Sequence, residues 1–134
     1  MNTSFRTEIR KSIDLSGAEA KILRDLSLRE NGSMSLYLTR ERKWGNSKAF
    51  VIMVFDGEKL IGWAHFIPGT KRSSVCHFYV RKTHRRMGIG THLMNTALKN
   101  STQARVGVCS HSAESYRFFK RFYKRKRIAE IGWY

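Results

Sequence analysis

Long apolar runs are missing from this chain. No stretch approaches the ~20 residues that cross a bilayer as a helix. The N-terminus, polar from Met1 to Thr3 with charges soon after, lacks the apolar segment of a secretory leader. Both absences argue against a helical membrane protein, and the expected location is the cytoplasm. Cysteine is nearly absent as well. Cys76 and Cys109 sit in apolar, strand-like runs, where small buried side chains are expected rather than a disulfide, a redox pair or a metal site. There is no internal repeat and no low-complexity linker. At 134 residues the chain can bury one core and not two, so a single domain over 1–134 is expected.

Acidic side chains are the third shortage: 10 Asp and Glu face 26 Lys and Arg, for a formal net charge of +16 at pH 7. The imbalance is uneven. Residues 1–70 carry 11 Lys/Arg and 8 Asp/Glu, whereas residues 71–134 carry 15 and 2. In the second part only Glu114 and Glu130 offer carboxylates. The cluster Lys120, Arg121, Lys124, Arg125, Lys126 and Arg127 is either a solvated, solubilising face or a surface for a polyanion such as RNA, DNA or an acidic macromolecule. What is well supplied is apolar: 41% of residues are hydrophobic and 12% aromatic, the composition of a globule.

Periodicity places the elements. Phe5 to Ile13 reads as a strand. Ser16-Gly17-Ala18-Glu19 is a capping box that opens a helix through Ala20, Ile22, Leu23 and Leu26, ending near Asn31 and Gly32. Met34 to Trp44 is a short helix or an ordered loop that shapes a pocket, with Tyr37 and Trp44 either lining it or in the core. Ala49 to Phe55 and Leu60 to Ile67 form a hairpin turning at Asp56 and Gly57, closed by Pro68 and Gly69. Val75 to Val80 and Arg105 to Cys109 are strands separated by a helix with Ile89, Leu93, Met94, Ala97 and Leu98 at helical spacing. Ser112 caps a last helix whose apolar side is expected to carry Tyr116, Phe119, Phe122 and Tyr123. Ile128 to Tyr134 is the final strand.

The turn between Val80 and the helix that follows carries the strongest chemical signal. Gly88 and Gly90 lack Cβ atoms, so first-turn amides can approach a ligand at the positive end of the helix dipole. Arg81, Lys82, Arg85 and Arg86 flank them, an arrangement suited to a polyphosphate. There is no Gly-Lys-Ser/Thr ending, and position 93 is Leu93, so neither common phosphate loop is present. On the glycines alone, a helix start that needed room to pack is the favoured reading.

What remains, Arg85-x-x-Gly88-x-Gly90 behind an apolar strand, resembles the acyl-CoA signature of the GNAT superfamily of N-acyltransferases. That pattern is Arg or Gln, two residues, Gly, one residue, Gly or Ala. The resemblance is close from Val75 to Leu98 and traceable over most of the chain. It implies an α/β fold with a mixed sheet splayed between two parallel strands. It also implies an acetyl-CoA-dependent N-acetyltransferase, with acetyl-CoA as cofactor and an amine as acceptor. Phe78, Tyr79 and Val80 would present backbone groups to the pantetheine arm. The amides of Arg86, Met87, Gly88, Ile89, Gly90 and Thr91 would bind the pyrophosphate, with Arg85 at the first basic position.

The last helix departs from the family. Where the family often has Asn-x-x-Ala-x-x-Phe-Tyr, then Gly-Phe three residues on, this chain has Ser112, Ser115, Phe118 and Phe119, then Tyr123 and Lys124. The family's Tyr is commonly the acid that reprotonates CoA, and Phe119 cannot donate. Tyr116 and Tyr123 are the nearby phenols. Gly107 stands where some members carry a Glu, so a general base falls to His77, His111, Glu41 or ordered water. A Lys amine (pKa ~10.4) needs a true base, whereas an α-amino group (~7.7) needs little help. Missing carboxylates and the basic second half together favour a weakly basic amine carried on a polyanion, such as an aminoacyl-tRNA or a modified base. The alternative is a catalytically weakened module that binds nucleic acid or an acidic protein. The sequence leaves the oligomeric state open.

Overall fold

The computed structural model describes residues 4–23, 48–68, 73–101, 106–110, 113–124 and 127–133. Six strands form one sheet in chain order: β1 (Phe5–Lys11), β2 (Phe50–Asp56), β3 (Lys59–Ile67), β4 (Ser74–Val80), β5 (Val106–Ser110) and β6 (Ile128–Trp133). The first three junctions are antiparallel, and β4–β5 and β5–β6 are parallel. Each parallel step needs a crossover, supplied by helices α1 (Ile89–Lys99) and α2 (Ala113–Lys124). The result is the mixed α/β sheet that the signature implies.

Burial explains the strand sequences. β2 and β3 are covered on both faces and read as near-continuous apolar runs. One face packs Ile52, Val54, Ile61, Ala64, Phe66 and Val75 against Ile89, Leu93, Met94, Ala97 and Leu98 of α1 and Phe119 and Phe122 of α2. The other packs Val51, Met53, Leu60, Trp63 and Tyr79 against Leu15, Ala20 and Leu23. Truncating a side chain such as Leu93 to Ala would cost ~2–5 kcal/mol.

Local signals behave as their chemistry dictates. Ser16 and Glu19 form the reciprocal capping box, Glu19 N–H to Ser16 Oγ at 3.1 Å and Ser16 N–H to Glu19 Oε1 at 3.0 Å, and residues 17–23 are helical. The β2–β3 turn falls on Gly57 and Glu58 because Asp56 still pairs with Lys59, and Gly57 takes a positive φ of 61°. β1 stops at Lys11, two residues before the expected end. Ser12–Asp14 form a 3-10 turn, with Ser12 N–H on the Ala49 carbonyl at 2.9 Å.

One expectation about α2 is corrected. Its buried arc is Phe118, Phe119 and Phe122, at i, i+1 and i+4, so Tyr123 falls beyond the arc and is 51% exposed. Tyr116 is half-buried, with the Lys120 ammonium 5.3 Å from its ring centroid. Asn31, Gly32, the segment Met34 to Trp44 with Tyr37 and Glu41, Gly69, Arg105, His111, Ser112, Arg125 and Lys126 lie outside the described residues.

Candidate functional site

The site begins with a fault in the sheet. Ala64 pairs with Phe78 and His65 with Cys76, so His77 is an extra residue on β4, a bulge that bends the strand. On its other edge β4 pairs with β5 only through Ser74 with Gly107 and Val75 with Val108. Cys109 and Ser110 continue β5 by pairing with β6 instead. Among the described residues, then, the two parallel strands part immediately before the bulge. The Arg81 N–H donates to the Ile61 carbonyl at 2.8 Å, which fixes the phase of the ladder. Tyr79 directs its backbone to Trp63 on β3, and Phe78 and Val80 turn theirs into the split. Their side chains are committed elsewhere, Phe78 and Val80 to one core face and Tyr79 to the other.

Beyond Val80 a 3-10 turn (Lys82–His84) and a tight loop lead into α1. Arg86 and Gly88 have positive φ, 64° and 83°. Gly88 is the N-cap of α1 and offers no side-chain cap, and the first helical bond runs from His92 N–H to the Gly88 carbonyl at 2.9 Å. The N–H groups of Ile89, Gly90 and Thr91 therefore have no intrahelical acceptor, and they sit at the positive pole of the helix. The nearby cations divide into two kinds. Arg81 Nε is tied to the Leu60 carbonyl at 2.6 Å and Arg85 Nε to the Val80 carbonyl at 2.9 Å, bracing the loop against the strands. Lys82 and Arg86 are exposed at the rim, with exposed Met87 beside them in sequence. His84 adds a tether, with Nε2 3.3 Å from Asp56 Oδ2 and its ring edge-on to Phe5.

The sequence that carries this split and this uncapped helix start matches the Acetyltransferase (GNAT) family model over residues 20–124. The chain belongs to the GNAT acetyltransferase family. Acyl transfer from an acyl-CoA is the chemistry that membership supports. Solved structures share the fold at low identity. ElaA of Escherichia coli superimposes with a TM-score of 0.64 at 14% identity, over 88% of this chain and 85% of that one. A GNAT-family acetyltransferase of Streptococcus pneumoniae gives 0.61 at 20% identity, over 90% and 86%. An aminoglycoside acetyltransferase from an uncultured soil metagenomic sample gives 0.52 at 14%, over 99% and 78%. No curated protein matches the sequence.

The described candidate catalytic residues fall on two elements, β4 and α2. Phe119, at the family's Tyr position, is 0% exposed, with its ring 5.1 Å from Phe78 in the core. Tyr116 and Tyr123 lie outside the buried arc of the same helix. His77 marks the bulge at the split, and His111 is outside the described residues. Of the basic cluster, Lys120, Arg121, Lys124 and Arg127 are exposed, and Arg125 and Lys126 are outside the described residues.

Two features escaped the sequence reading. Gly62, in the middle of β3, lets α1 sit down on the sheet: a Cβ there would lie 3.0 Å from Ile89 Cγ2 and 3.3 Å from the Tyr79 carbonyl. A glycine inside an apolar strand is the signal that could have found it. Gly90 has a packing reason of its own, because its Cβ would meet the Phe118 ring at 3.2 Å. The second feature is a fully buried pair, Ser12 Oγ 3.0 Å from His65 Nε2, which pins the end of β1 to β3. Nothing in their spacing, 53 residues apart, announces it.

Proposed function

We propose that this protein transfers an acetyl group from acetyl-CoA to a primary amine by direct attack on the thioester. The observation that carries the reading is a continuous path along β4. The strand leaves β5 after Val75, and the loop that follows Val80 leads to the unpaired amides of Ile89, Gly90 and Thr91. The pantetheine arm lies in the split against the backbone of Phe78 and Val80, and the pyrophosphate meets the α1 amides. The amine nitrogen bonds to the acetyl carbon, and backbone N–H groups polarise the carbonyl oxygen. The C–S bond then breaks, the amine loses a proton to water or to a base such as His77 or His111, and the thiolate takes one up. A thiol of pKa ~8.5 is a good leaving group, so a chain with Phe119 buried in place of a phenol still turns over.

Because carboxylates are scarce in residues 71–134, where only Glu114 and Glu130 occur, the acceptor is a weakly basic amine. The charge of +16 favours one carried on a polyanion, such as an aminoacyl-tRNA or an amino-modified nucleic acid, and disfavours a polycation such as an aminoglycoside. Isothermal titration with acetyl-CoA and CoA tests the cofactor site, and near-stoichiometric binding is expected. No binding by the folded protein overturns it. Radiolabelled acetyl-CoA offered with charged tRNA, modified DNA and basic protein tests the acceptor. Label in protein alone overturns the polyanion-carried amine.

A further inference from the structure

The outer face of α2 is a second surface with chemistry of its own. Arg117, Lys120, Arg121 and Lys124 are all exposed and recur at i, i+3, i+4 and i+7, so they share one stripe about 10 Å long. Exposed Arg127 extends it, its N–H on the Phe122 carbonyl at 3.1 Å. None of the five forms an ion pair among the described residues. Ion pairs seen there include Arg6–Glu8, Arg10–Glu8, Arg10–Glu19 and His84–Asp56. Arg117 with Arg121 and Lys120 with Lys124 are like charges one turn apart, a spacing that destabilises a helix. A bound polyanion relieves that repulsion.

Aromatic rings border the stripe. Tyr116, Lys120 and Tyr123 follow at i, i+4 and i+7 along its edge, with the Lys120 ammonium over the Tyr116 ring and the Tyr123 ring open to solvent. Cations that meet phosphates beside an aromatic face that meets a base are the elements of single-strand recognition. A duplex hides its base faces, and an acidic peptide would use the cations without using Tyr123. We propose that this face docks a single-stranded nucleic-acid segment, with phosphates on Arg117, Lys120, Arg121 and Lys124 and a base stacked on Tyr123. The surface goes beyond the transfer reaction and does not depend on it.

The test is fluorescence anisotropy with labelled ~16-nucleotide oligouridylate, the oligodeoxythymidylate of equal length, and a duplex of the same length, across a salt series. Changing Arg117, Lys120, Arg121 and Lys124 together to Gln is expected to lower the slope of log affinity against log salt by about 3. Tyr123→Ala is expected to weaken single-strand binding about tenfold and leave the slope unchanged. The RNA and DNA arms tell which sugar is preferred. Circular dichroism and CoA titration of each variant separate this proposal from the cofactor site. Loss of CoA binding in the folded Gln variant would assign the cations to CoA and overturn the surface. So would wild-type oligonucleotide affinity in that variant, or equal binding of duplex and single strand with no effect of Tyr123→Ala.

Discussion

The meander β1–β3 and the unit β4–α1–β5–α2–β6 are built to different rules. The meander is complete in itself. Its ladders pair along their length, and Arg6 and Arg10 are matched by Glu8 and Glu19. The second unit is open: β4 and β5 share two residue pairs and then part, α1 starts without a cap, and α2 displays cations that no described acid neutralises. Unmet hydrogen-bond donors and unpaired charge cost stability unless water or a ligand meets them. The first unit is therefore a platform, and the second is the one that the proposed anionic ligands would complete.

The change that should break this contrast most completely is Gly88→Glu. It places a carboxylate at the helix N-cap, where the pyrophosphate is expected, and titration calorimetry should record loss of CoA binding. Gly88→Ala separates charge from strain. Alanine at a φ of 83° costs ~1–2 kcal/mol and should weaken CoA without abolishing it. Equal affinities for wild type and Gly88→Glu would remove the cradle from the contrast.

Gly62→Val attacks the joint between the two units. Overpacking against Ile89 Cγ2 and the Tyr79 carbonyl should cost ~1–3 kcal/mol, seen as a lower Tm, and should weaken CoA by displacing the start of α1. A stable variant with normal CoA affinity would show that α1 tolerates displacement. Phe119→Tyr is expected to be milder. A hydroxyl at a 0% exposed core position costs ~1–3 kcal/mol if unpartnered, and kcat should not rise. A rise in kcat with a new alkaline limb would place a proton donor there after all.

These features differ in how far the sequence announced them. The capping box, the glycine hairpin and the α1 periodicity are local, and each was legible because neighbouring residues decide it. The uncapped start of α1 was legible because glycine marks where backbone must come close, and Gly88 stands there as the N-cap at positive φ. The catalytic side was not. Phe119, Tyr116 and Tyr123 have similar composition and spacing, and only the packing of Phe118 against Gly90 and Phe78 decides which ring turns inward. The bulge at His77 was illegible for the same reason, since a register shift is a property of two strands and not of one.

The smallest effect tests the seam between platform and open unit. His92 on α1 and Thr7 on β1 meet at 2.7 Å, a hydrogen bond across that seam. Burial pushes the His92 pKa below its ordinary 6.5 because the imidazolium is poorly solvated there. The unfolded chain therefore takes up a proton first as pH falls through ~6.5, and the folded state loses stability between that value and its own lower pKa. Above ~6.5 both states hold neutral histidine, and this group adds no pH dependence. Thermal unfolding of His92→Gln should show a flatter acid arm than the wild type, with the two curves running parallel at pH 8. Parallel curves at pH 5 as well would mean that the imidazole is solvated in the folded protein, and that the seam is held by apolar packing of α1 alone.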